Sequence, residues 1–106
     1  MAAKNRQQQI EEMLAQDPDD AELHYMLAME HAGRGDDEGA VLCFRRLFAV
    51  APDHVAAYHQ AGRSLHRLGR SDEAGDVLRQ GIAVAHKKND EHAAGEMAEL
   101  LNHLAD

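Results

Sequence analysis

Apolar residues along this chain recur at helical spacing. Ile10, Met13 and Leu14 stand at i, i+3 and i+4 among polar neighbours, one narrow stripe on a helix over 4–16 that needs a neighbour to hold it. Asp17-Pro18 ends that helix, because the residue before a proline is pushed out of helical geometry. The next stretch, Asp20 to Ala32, puts Leu23, Leu27 and His31 on one side and Tyr25 and Met29 on another. Asp19 or Asp20 is placed to cap it, with Glu22 three after Asp19 as in a capping box. Gly33 and Gly35 mark its end, and Asp36-Asp37 offers a cap for a helix from Glu38 to Val50 that buries Val41, Phe44, Leu47 and Phe48. After Pro52 the same events recur: Asp53 as cap, a helix to about Leu68, a turn at Gly69, Ser71 as cap and a helix from Asp72 to Ala85. A polar turn, His86 to Asp90, leads to a last helix over 90–104 whose Ala93, Met97, Leu100, Leu101 and Leu104 cover the apolar side left open by its predecessor. Connections this short make sequential helices pack antiparallel, so the expected fold is all-α with about six antiparallel helices.

The recurrence has a fixed period. Ala21 to His54 and Val55 to Lys88 are blocks of 34 residues that share Gly35/Gly69, Ala40/Ala74, Arg45/Arg79, Ala49/Ala83, Val50/Val84 and Ala51/Ala85. Pro18-Asp19 likewise returns as Pro52-Asp53. A constant period in this range is the mark of stacked helical repeats. The expected organisation is a single domain over 1–106, built from a half repeat at 4–16, repeats at 21–54 and 55–88, and a capping helix at 90–104.

Composition and charge narrow the function. With 106 residues, two Phe, two Tyr and no Trp, the core is small, and plentiful Ala, Leu, Met, Glu, Gln and Arg are the mixture expected when helices carry the structure. No apolar run approaches the ~20 residues of a membrane span, and the opening residues lack the apolar segment of a signal peptide, so a cytoplasmic location away from membranes is expected. A net charge of −8 argues against nucleic acid as a partner. The charge is uneven, however: Val55 to Arg70 holds three Arg, two His and no acid. Cys43 has no second cysteine to pair with and sits between Leu42 and Phe44, as a packed thiol does.

The repeated blocks resemble tetratricopeptide repeats, in which each 34-residue unit is a helix A and a helix B. The family's Leu-Gly/Ala pair of helix A appears as Leu27-Ala28 and Ala61-Gly62, its small residue early in helix B as Ala40 and Ala74, its large apolar residue one turn on as Phe44 and Leu78, and its closing proline as Pro18 and Pro52. Ile10, Met13, Ala15 and Pro18 align with the second half of a further unit. Departures are His24 and Tyr58 at the first bulky position of helix A, His31 and Leu65 where a Tyr is usual, no proline closing the second block, and Gly81 where the family prefers Ala. The resemblance implies an α-α superhelix that binds a peptide or a partner helix in a concave groove, as a non-catalytic adaptor.

Carried over by position, the groove residues are Glu22, Tyr25, Met29 and Ala32 in the first repeat and Ala56, His59, Arg63 and His66 in the second, with Arg67 beside them and Ala93 and Met97 added from the last helix. Such a wall joins an apolar patch to a cationic one and suits a protein segment with an apolar anchor and an acidic group. Arg63 and Arg67 have a second destination, ion pairs with Glu96 and Glu99. Tyr25 and Met29 stand where some family members carry the Lys and Asn of a carboxylate clamp, so that clamp is absent. His24 and His31, like His59 and His66, are seven residues apart, about 10 Å along a helix and too far to share an ion, so no metal or other cofactor is expected. No phosphate loop and no nucleophile-base set is visible, which leaves no catalytic residue to name. The alternative to an adaptor is a module that forms a homodimer through exposed edge helices.

Overall fold

The computed structural model describes residues 3–104. They form six helices and, among the described residues, no strand: α1 (Arg6–Gln16), α2 (Ala21–Gly33), α3 (Asp37–Val50), α4 (Val55–Arg67), α5 (Ser71–Lys87) and α6 (Glu91–Leu104). The chain divides into two compact units between Pro52 and Asp53.

In the first unit α2 packs against both α1 and α3. Ile10 anchors α1 with 1 % exposure, and Leu27 and Ala28 of α2 meet a face of α3 that buries Ala40, Val41, Phe44 and Leu47. Cys43 is buried with them, and burial pushes its thiol pKa up. Phe48, expected in this core, is half-buried. Tyr25 meets the Phe44 ring edge-on, with centroids 6.2 Å apart and planes at 62°. His24 is buried and places Nε2 2.6 Å from the Pro18 carbonyl oxygen, so its ring ties the incoming chain to α2.

The second unit is a three-helix arrangement in which α5 packs on α4 and α6, and α6 also touches α4. Close approach is set by glycine. A methyl group on Gly62, which holds the place of Ala28 in its repeat, would lie 2.5 Å from Cδ2 of Leu78. Leu65, Leu78 and Met97 fill the rest of the core. In α6 the buried alanine is Ala94; Ala93 is half-buried.

Three turns close in the same way. The residues after α2, α4 and α5 include Gly35 at φ 80°, Gly69 at φ 77° and Asn89 at φ 59°. In each, the following amide reaches back five residues: Asp36 N–H to His31 O, Arg70 N–H to Leu65 O and Asp90 N–H to Ala85 O, at 2.9, 2.9 and 2.8 Å. These are Schellman closures, which need a left-handed residue. Asn89 supplies it where the second block lacks a proline, and α5 runs 17 residues against 14 for α3.

Of the two caps expected for α2, Asp20 is the one used, while the capping boxes and the caps of α4 and α5 depart from expectation. Asp20 caps α2 by accepting from Leu23 N–H at 3.1 Å, which puts Glu22 one place short of a capping box. The capping box lies instead in α1, where Asn5 Oδ1 accepts from Gln8 N–H at 2.8 Å and Gln8 Oε1 from Asn5 N–H at 3.0 Å. His54 rather than Asp53 caps α4, and Ser71 is the first residue of α5, behind an Arg70 that supplies no side-chain cap.

Candidate functional site

Every position marked on α2 and α4 keeps some surface. In the first unit they lie along α2: Glu22 is exposed, and Tyr25 and Met29 are half-buried. Tyr25 is divided between the surface and the core, because its ring packs on Phe44. Burial, and then the nearby Glu22 carboxylate, raises the pKa of its hydroxyl above the usual value.

In the second unit α4 presents Ala56, Arg63, His66 and Arg67 as exposed residues and His59 as half-buried. The helix carries no acid from Val55 to Arg67. Arg67 Nη2 donates to the buried Ser64 Oγ at 3.2 Å, which holds its guanidinium along the helix. His59 titrates below the usual imidazole range: partial burial is the main cause, Arg63 one turn along adds to it, and Glu96 of α6 opposes it.

The intramolecular destination for Arg63 is not taken. Among the described residues its guanidinium has no ion pair and no hydrogen bond. Glu96 instead faces His92 of its own helix at 3.1 Å. Met97, expected on the binding wall, is fully buried against α5, where its Sδ would sit 2.6 Å from a methyl on Gly81, so it cannot meet a partner.

The cleft at the start of α4 is lined by Asp53, His54, Val55, Ala56, Lys88 and Asp90. Lys88 Nζ donates there to the Asp53 carbonyl oxygen at 3.3 Å and faces its Oδ2 at 3.5 Å, which ties the α5–α6 turn to the entry of α4. The described residues contain no group of three or more His, Cys, Asp or Glu able to hold a metal ion.

A sequence profile of the tetratricopeptide repeat matches residues 55–88. A TPR repeat-containing protein of Pseudomonas aeruginosa is 30 % identical over 95 residues, which span 90 % of this chain and 90 % of that protein. The chain belongs to the tetratricopeptide repeat family. The crystal structure of a tetratricopeptide repeat domain protein from Salinibacter ruber superposes with a TM-score of 0.75 at 30 % identity, covering 81 % of this chain and 97 % of that one. A solution structure of a Bordetella parapertussis protein, at 24 % identity and a TM-score of 0.84 over 97 % of this chain and 90 % of its own, shares the fold. Tetratricopeptide repeats generally mediate protein–protein interaction, and proteins built from them are typically non-catalytic. No helix among the described residues is long and apolar enough to cross a membrane.

Proposed function

We propose that the chain is a cytoplasmic, non-catalytic adaptor that takes a peptide or a partner helix on the exposed faces of its A-type helices. In this reading residues 21–54 and 55–88 are the repeats of one domain, and α1 and α6 flank them. Each unit offers its own surface: Glu22, Tyr25 and Met29 on α2, and Ala56, His59, Arg63, His66 and Arg67 on α4. The observation that carries the reading is Arg63, an exposed guanidinium without an ion pair among the described residues, on a helix that has no acid. A cation in that state matches a carboxylate of a partner, which can take two of its N–H donors at once.

The test is capture of partners from native cell extract by the wild-type chain and by Arg63→Glu, with far-ultraviolet circular dichroism as the folding control. The reading expects capture to be lost and the helical signal kept. Capture unchanged by Arg63→Glu would remove the α4 face from the site. Adding Tyr25→Ala extends the test to α2, although this change also strips the edge contact from Phe44, so the single variant is the cleaner of the two.

A second reading, self-association into a homodimer, is favoured by Leu42 of α3 and Met13 of α1, which are 57 % and 45 % exposed. Light scattering over a dilution series separates the two, since a monomer at micromolar concentration removes the second.

A further inference from the structure

The two A-type helices begin on the same backbone and on different chemistry. Asp20 before α2 and His54 before α4 are 34 residues apart, at equivalent places of the repeat. Their backbones agree closely, at φ −74°, ψ 106° and φ −78°, ψ 92°. Each accepts a hydrogen bond from the amide three residues on: Asp20 Oδ1 from Leu23 at 3.1 Å, and His54 Nδ1 from Ala57 at 3.2 Å, an amide that the His54 carbonyl oxygen shares at 3.2 Å.

A backbone amide can only donate. His54 Nδ1 must therefore offer a lone pair, which requires a neutral ring with its proton on Nε2. A carboxylate cap persists throughout the neutral and mildly acidic range, whereas an imidazole takes a proton between about pH 8 and pH 5. On protonation Nδ1–H would point at the Ala57 N–H, and a positive charge would stand at the positive end of the helix dipole. Both effects oppose the cap.

Ionisable groups that line the cleft beside His54 include Asp53, the preceding residue, and Lys88 and Asp90 of the α5–α6 turn. Asp53 faces Lys88. Two other histidines have the reverse setting. His31 and His86 lie in the last turns of α2 and α5, each facing a carboxylate five residues on, Asp36 at 2.9 Å and Glu91 at 3.0 Å.

We propose that His54 is a pH-sensitive N-cap: its neutral ring holds the first turn of α4, and protonation releases that turn, which carries Ala56. The inference stands whatever the α4 face binds. The equivalent helix of the first unit, capped by Asp20, lacks this sensitivity.

The test compares thermal unfolding of the wild-type chain and His54→Asn from pH 8 to pH 5. Asparagine caps a helix as well as aspartate does and does not titrate. The midpoints are expected to lie close together at pH 8, with the variant gaining on the wild type by about 4–8 °C as the pH falls, the shift that loss of one cap produces in a domain of this size. In parallel, the histidine side-chain nitrogen spectrum at pH 8 is expected to show His54 as the Nε2–H tautomer. A midpoint difference that stays constant with pH, or a ring protonated on Nδ1 at pH 8, overturns the proposal.

Discussion

Gly81 of α5 lies against Tyr58 of α4. A methyl group placed on the glycine would meet Tyr58 Cγ at 3.1 Å, with Tyr58 Cβ closer still, and Met97 Sδ of α6 at 2.6 Å. The family's preference for alanine at this place thus fails here for a steric reason: three helices converge on one backbone position, and Tyr58 fills the room a methyl would need.

Gly81→Ala should accordingly destabilise the chain. Alanine gains about 1 kcal/mol of helix propensity over glycine. Overpacking against a β-carbon that cannot rotate away costs about 1–3 kcal/mol, and this is the larger effect. The expected outcome is a lower thermal midpoint for Gly81→Ala. A raised midpoint would mean that α4 and α5 are not held this close.

Asp36 gives a prediction with a definite sign. Its carboxyl is held below the usual range, first by the hydrogen bond from Gly39 N–H and then by His31. The folded chain therefore takes up this proton at a lower pH than the unfolded chain does. The contribution is present above the unfolded carboxylate value, about 3.9, and is lost as the pH falls through the lower folded value. Asp36→Ala should lower the unfolding midpoint at neutral pH, and the gap to the wild type should close in strong acid. A gap that persists undiminished into strong acid would assign the effect to packing.

His59 reports on the α4 face. Burial and Arg63 hold its pKa down, and Glu96 raises it. In a nuclear magnetic resonance titration Arg63→Ala should move the His59 midpoint up, and Glu96→Gln should move it further down. With a folded value below the unfolded one, the contribution of His59 to stability is present above about pH 6.5 and declines as the pH falls. A His59 midpoint that neither substitution moves would mean that the three groups do not share one surface.

Much of the fold was legible because it is written in local spacing. Ile10, Phe44, Leu65 and Leu78 recur where one side of a helix must be apolar, and a 34-residue period needs no coordinates to be seen. Gly35 and Gly69 announce their turns because few other residues accept a left-handed backbone. The capping box of Asn5 and Gln8 is equally local, but the polar residues on both sides of it give no contrast that marks a helix start.

What the sequence determined by itself was the number and type of helices, their boundaries to within two residues in most cases, and the family. Tertiary structure decided the rest. That His54 and not Asp53 caps α4 is seen only in the fold, where His54 Nδ1 accepts from Ala57 N–H and Lys88, 35 positions away, takes part in holding Asp53. Arg63 and Met97 were both assigned to one wall by position, yet one is exposed and the other wholly enclosed, because α6 turns Met97 toward Gly81. Periodicity records which residues share a face of a helix. The distance of closest approach between helices decides what that face meets, and here the glycines at 62 and 81 set that distance.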